Sequence, residues 1–197
     1  MGSLFYNSKE RQNPLMDFAE ILFGETPQTI TQAGIDDDAE RFRLKFDGSK
    51  LRLMKGEKEA GNWNGVSGIP GYQSPEFQHL KDKGPLPEGR YSANQGQYQK
   101  MDMIDAIAGL IGKGRFPGSH YSWGSERVWL TPDKDTNTYG RKNFSIHGGW
   151  VPGSKGCIDL TSDNRDFMNV FLTIGRDLPL DVKYSNQPKP KELNKIL

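Results

Sequence analysis

The chain is poor in several things, and each shortage narrows what it can be. It has one cysteine, Cys157, so no disulfide can form within it. A protein without disulfides works in oxidising or reducing surroundings, so cysteine usage leaves the compartment open. It contains no run near the ~18 apolar residues that a membrane span requires. The best N-terminal candidate, Leu15 to Phe23, is broken by Asp17 and Glu20 and lacks a small-residue cleavage site, so it does not read as a signal peptide. The expectation is synthesis in the cytoplasm and, for any action outside it, transport by another route. Charge of one sign is lacking too: 26 basic and 25 acidic residues leave a formal net charge of +1. That balance gives no general electrostatic case for nucleic acid or an anionic membrane as partner. Histidine is scarce, with three in the chain. One cysteine and one nearby histidine, without a second pair, do not match zinc-site spacing, so no metal is expected.

Turn-forming residues are plentiful. The 23 glycines and 12 prolines cluster in stretches such as 61–75 and 84–89, which suits a β-rich domain with long loops better than a helical bundle. Phe42, Leu44 and Phe46 alternate with Arg41, Arg43 and Lys45. Asp47-Gly48 then signals a turn, and Leu51 and Leu53 resume the alternation, so a β-hairpin is expected. Further strands are expected at 89–93, 127–130, 143–147 and 178–183, with a long loop region over 61–89. Met103, Ile104, Ile107, Leu110 and Ile111 follow helical spacing and predict a helix over 101–112. A second helix is expected over 162–174, with Ser162 as N-cap and Gly175 closing its end. The organisation implied is an appendage or docking segment at 1–40, with a short helix at 15–23, then one domain at 41–186 and a polar tail at 187–197. The fold class expected is mainly β, a sandwich or partly closed barrel carrying one or two short helices.

Chemistry concentrates between Asn143 and Leu160. His147 ends a predicted strand, and Cys157 follows ten positions later across a return rich in glycine, proline and serine. Such a loop can bring the thiol beside the imidazole. A free thiol with a pKa near ~8.5 is only slightly ionised at neutral pH, and an adjacent imidazole can take its proton and later return it to a leaving amine. Gly156 removes a Cβ from the path of an approaching substrate, which makes the neighbouring amides natural oxyanion donors. Spacing alone also permits a buried, inert cysteine and a strand-capping histidine. His120, in an aromatic loop, can flank a glycan or peptide groove or simply face solvent. Trp150 can cover a substrate or plug the core. Arg141 can meet a substrate carboxylate or lie exposed at a strand edge.

The stretch Asn143-Phe-Ser-Ile-His-Gly-Gly-Trp-Val-Pro-Gly-Ser-Lys-Gly-Cys-Ile-Asp-Leu160 resembles the active-site signature of L,D-transpeptidase domains. It resembles more closely the compact branch of that chemistry, the L,D-transpeptidase effector family of type VI secretion. Val66-Ser67-Gly68, the segment Gly84 to Tyr91, Arg127 to Pro132 and Gly140 to Gly149 add to the likeness, which spans roughly residues 41 to 184. The Pro152-to-Leu160 element is the most specific part. The resemblance implies Cys157 as nucleophile, His147 as base and Ser154 as a residue shaping the site. It implies an oxyanion region in the backbone of Lys155, Gly156 and Cys157. Lys155 stands where the general transpeptidases have a second histidine, and Asp159 where they have Arg or Asn. With Gly148 and Gly149, Asp159 joins Arg141, Trp150 and His120 among the substrate-binding candidates. The implied substrate is the peptidoglycan stem peptide, cut by L,D-carboxypeptidase or exchanged by L,D-transpeptidase activity, without metal or organic cofactor. The implied setting is the periplasm of target bacteria, with a periplasmic immunity protein and a secretion-machine component, the latter docking on residues 1–40, as partners.

Two rivals differ in kind. Papain-like peptidases and amidases usually place the cysteine before its histidine, and here no histidine follows Cys157. A non-catalytic wall-binding module would keep its activity after thiol alkylation, whereas the enzyme would lose it.

Overall fold

A computed structural model describes residues 42–184. The expected segment 1–40, its helix at 15–23 and the tail at 187–197 lie outside the described residues. The described part is mainly β, as the alternation patterns predict. Its strands are β1 (Phe42–Phe46), β2 (Lys50–Lys55), β3 (Lys58–Asn64), β4 (Gly89–Lys100), β5 (Glu126–Pro132), β6 (Phe144–His147), β7 (Ile158–Asp159) and β8 (Leu178–Val182). They form one continuous eight-stranded sheet in the order β3-β2-β1-β8-β4-β5-β6-β7. Pairing is antiparallel except for β1 with β8 and β6 with β7, which run parallel. Among the described residues three α-helices accompany the sheet: α1 (Met103–Leu110), α2 (Ser119–Trp123) and α3 (Asn164–Ile174). No helix among the described residues is long and apolar enough to cross a membrane.

The hairpin β1–β2 forms where expected, with Phe42, Leu44 and Phe46 buried and paired across to the strand carrying Leu51 and Leu53. Asp47 fixes its turn. Its Oδ1 accepts from the Ser49 and Lys50 amides at 2.9 and 2.8 Å, and Oδ2 meets Arg52 Nη1 at 2.6 Å. These bonds outweigh the burial that opposes ionisation and lower its pKa to about 2. β3 overlaps the start of the loop expected over 61–89; Trp63 is its one buried side chain, so no apolar alternation marks it. β4 runs past the expected 89–93 because its second half is polar and its pairing with β5 shifts register between Ala93 and Tyr98.

Helix α3 packs as its spacing predicts. Phe167, Met168, Val170 and Phe171 are buried, and the Trp63 ring meets Phe167 edge-on at 5.1 Å. Each such ring buried contributes roughly 1.5–3 kcal/mol. The N-cap differs from expectation. A 3-10 turn over Thr161–Asp163 precedes the helix, Asp163 holds the cap position, and Ser162 Oγ is turned toward Asp163 Oδ1 instead. Gly175 closes the helix in the left-handed region at φ 72°.

Helix α1 forms, with its faces reversed. Met103, Ile104, Ile107, Leu110 and Ile111 are all more than three-fifths exposed, while Asp105 and Gly109 face inward. Gly109 is there because the backbone of Phe116 and Ser119 passes where a Cβ would sit. Asp105 is held by a reciprocal capping box with Asp102 and by Arg115. Helix α2 falls in the aromatic segment read as a loop. It carries Tyr121, Ser122 and Trp123 to the wall of the cavity described next.

Candidate active site

Strands β6 and β7 lie side by side with Ile146 opposite Ile158 and His147 opposite Asp159. The return between them is folded back so that Cys157, just before β7, reaches the side chain of His147. The two groups are within hydrogen-bonding reach, and both are buried. Burial opposes charge on each of them, but their mutual attraction outweighs it. The imidazole is held above its ordinary pKa and the thiol below its own. The pairing thus eases proton transfer from thiol to imidazole, and the two groups titrate as a unit.

The imidazole is oriented on its far side. His147 Nδ1 lies 2.6 Å from Gly148 O. A carbonyl only accepts, so Nδ1 carries the proton and Nε2 is left as the basic nitrogen. The Trp123 ring covers the imidazole at a centroid separation of 4.9 Å. On Trp123 in turn rests the guanidinium of Arg127, 4.5 Å from that ring and 4.3 Å from each of Phe116 and Trp129. Burial lowers the Arg127 pKa to about 10 despite the nearby thiol.

The sulfur and its backbone are fixed separately. Ser145 Oγ donates to Cys157 Sγ at 3.3 Å, and Asn143 O lies 3.8 Å from the sulfur. The carbonyl of Cys157 accepts two hydroxyls, Ser154 Oγ at 2.5 Å and Ser67 Oγ at 2.7 Å. Ser67 Oγ accepts in turn from the Leu86 amide at 2.8 Å. The Val66-Ser67-Gly68 and Gly84-Pro85-Leu86 motifs thus meet at the nucleophile's backbone. Asn143 and Thr161, at φ 65° and 48°, hold left-handed conformations next to β6 and β7. Such strain in non-glycine residues clusters where surrounding structure over-determines the backbone.

A cavity of about 720 Å3 opens onto the pair. Its wall includes His147, Cys157, Ser154, Lys155 and Arg141, with Trp123 and Tyr121 from α2. Several expected substrate contacts are not found there. Arg141 touches the cavity, but its guanidinium is buried and spent on backbone. Nη1 donates to Gln78 O and Pro85 O, both at 2.6 Å, and Nη2 to Gly84 O at 2.9 Å and Lys155 O at 3.2 Å. It clamps two loops and is neither an exposed edge residue nor a free carboxylate receptor. Gly156 owes its lack of a side chain to this guanidinium, which fills the space of a Cβ. The Gly156 amide is turned to Ser154 Oγ at 3.3 Å. Gly148 and Gly149 are buried against the backbone of Thr161 and of Tyr121 and do not line the cavity. Asp159 is fully buried and bridges the loop, accepting from Gly153 N at 3.0 Å and Thr161 N at 2.8 Å. Burial raises its pKa, against the pull of His147. Trp150 is 73% exposed, so it is no core plug; it lies beside Tyr121 and lines a neighbouring depression. His120 Nδ1 is bound to Gly124 O at 2.8 Å and does not line the cavity.

Ser145 was legible in principle, since it sits two positions from His147 on one strand and so shares its face. Ser67 and Arg127 fall within motifs that add to the family likeness, but nothing in the sequence assigned them, or Trp123, a place at the site.

The Tlde1 domain family model matches residues 61–182, more than half of the chain. No curated protein matches it. Among solved structures, Bd1075 of Bdellovibrio bacteriovorus is similar at 15% identity and a TM-score of 0.45, over 73% of this chain and 48% of that one. L,D-transpeptidase 3 from Mycobacterium tuberculosis, in complex with a faropenem-derived adduct, is similar at 15% identity and a TM-score of 0.42, over 73% of this chain and 60% of that one. The Enterococcus faecium L,D-transpeptidase follows at 19% identity and 0.42, over 73% and 50%. The chain thus spans less than two thirds of each of these three proteins.

Proposed function

The chain belongs to the Tlde1 domain family, a family of type VI secretion L,D-transpeptidase effectors, and from that premise we propose that it shortens or exchanges peptidoglycan stem peptides through a thioester on Cys157. The observation that carries this reading is the buried pair of His147 and Cys157 at the floor of an open cavity, with the thiol held below its ordinary pKa.

The steps follow from the groups present. Nε2 of His147 takes the thiol proton, and the thiolate attacks the carbonyl carbon at the L-centre of stem position three. The oxyanion forms beside the amides of Lys155 and Cys157. Collapse breaks the bond to the terminal D-alanine, whose amine leaves with the proton from His147. The acyl group then remains on sulfur as a thioester. Water, deprotonated by the same imidazole, releases the shortened peptide and regenerates the thiol; an amine in its place gives exchange or a cross-link. In this scheme Ser145 stabilises the thiolate, and Ser154 with Ser67 holds the nucleophile's backbone. Preorganised donors of this kind typically contribute a few kcal/mol each to such a step.

Residues 1–40 serve as the docking segment for the secretion machinery, 41–186 as the catalytic domain and 187–197 as a tail. The site of action is the periplasm of target bacteria, and a periplasmic immunity protein occludes the loop around His147 and Cys157 in the producer. Digestion of purified tetrapeptide muropeptides, with and without a free D-amino acid, tests the chemistry by mass spectrometry. Loss of the terminal residue or its replacement is expected, and an unaltered tetrapeptide refutes it. Toxicity only when the chain is exported, and only with Cys157 intact, tests the setting; equal toxicity in the cytoplasm refutes the wall as target.

A further inference from the structure

Three segments distant in sequence each bring a lysine to the cavity that holds Cys157. Lys81 comes from the loop after the 3-10 turn Pro75–Phe77, Lys142 from just ahead of β6, and Lys155 from the loop two residues before the cysteine. All three residues are exposed, and none forms an ion pair among the described residues. The cavity wall contains one carboxylate, Asp82. Arg141 adds a further positive charge beneath the floor, with its donors committed to carbonyls. The chain as a whole carries a net charge of +1, so this local excess is not a reflection of overall composition.

A concave wall of low dielectric focuses such charge and attracts anions to the nucleophile. Unpaired ammonium groups on flexible stems suit free carboxylates, which they meet as point charges. We propose that Lys81, Lys142 and Lys155 form a carboxylate-binding subsite that selects multiply anionic peptides and discriminates against their amidated forms. As applied to stem peptides this rests on the function proposed above. The electrostatic claim itself concerns only the cavity and Cys157.

Two readouts separate these. The first is alkylation of Cys157 in the full chain by iodoacetate, an anion, and by neutral iodoacetamide. Replacing all three lysines by glutamine is expected to lower the iodoacetate rate relative to that of iodoacetamide by about tenfold at low salt, and less at high salt. Lys-to-Arg replacements at the same positions keep the ratio, as does Lys113→Gln, which lies away from the cavity. The second readout is turnover of tetrapeptides with free or amidated side-chain carboxylates. Lys81→Gln and Lys142→Gln are each expected to raise KM for the free form by roughly two- to fivefold, with kcat little altered. An unchanged alkylation ratio in the triple variant, or equal kcat/KM for free and amidated peptides, overturns the subsite. A lowered ratio together with no turnover of either peptide leaves the anion subsite standing and overturns the stem-peptide reading.

Discussion

The guanidinium of Arg141 occupies the space that a side chain at Gly156 would need, one residue before the nucleophile. A Cβ there would fall well inside contact distance of Nη2, and the backbone at φ 114° disfavours any L side chain. The same guanidinium ties Lys155 to Gly84, so the nucleophile's loop and the Gly84-Pro85 loop are one unit. Gly156→Ala is therefore expected to destabilise the fold by about 3 kcal/mol, from overpacking and strain together. Thermal unfolding checks the loss of stability, and turnover is expected to fall as the nucleophile's loop shifts. A variant as stable and active as the parent contradicts this packing.

The pH dependence follows from the coupled pair. The thiol lies below its ordinary range and the imidazole above its own. Thiolate is thus present at pH values where a free thiol is protonated, and the low-pH limb of Cys157 alkylation should lie below that of a simple thiol. His147→Ala removes the partner while burial remains, so the limb should move to higher pH. Superimposable profiles for the two proteins contradict the pairing.

Ser145 gives a graded test. Its hydroxyl donates to sulfur from within the core, and a bond to a charged group contributes about 1.5–3 kcal/mol. Ser145→Ala should slow alkylation at mildly acidic pH by roughly tenfold or more. At alkaline pH, where the thiol ionises unaided, the two proteins should converge. Equal rates at every pH contradict a role in stabilising the thiolate.

Helix α1 predicts an asymmetry in stability. Ile104→Ser with Ile107→Ser, on its exposed stripe, should change folding stability by less than about 1 kcal/mol. Phe167→Ala, at the buried face of α3, should cost about 3–5 kcal/mol. Denaturant titration of both variants decides it, and comparable losses contradict the reversed orientation of α1.

That reversal marks where the sequence stops being informative. Helical spacing at Met103 to Ile111 identifies one stripe of a helix, but periodicity does not say which stripe meets the protein. The answer depends on Arg115 and on the close approach of Phe116 to Gly109. The His147–Cys157 juxtaposition was legible because a strand, ten positions and a glycine-rich return constrain it locally. Its supports were not. Arg141 reaches carbonyls of Gln78 and Pro85, 63 and 56 positions earlier, and Trp123 covers His147 from 24 positions away, a contact that no short motif encodes. Asp159 differs in another way, since its position in the family pattern, where the general transpeptidases have Arg or Asn, suggested substrate contact. Its carboxylate is fully buried and taken up by the Gly153 and Thr161 amides of the loop it braces.

The central claim is a covalent bond between Cys157 and the substrate's acyl group, and intact-protein mass spectrometry during turnover of tetrapeptide muropeptides tests it most directly. The account predicts an adduct of the muropeptide less its terminal D-alanine, mapped to Cys157 and absent from a folded Cys157→Ala protein that no longer turns over substrate. Full turnover by folded Cys157→Ala, or an adduct mapped to any other residue, would contradict it.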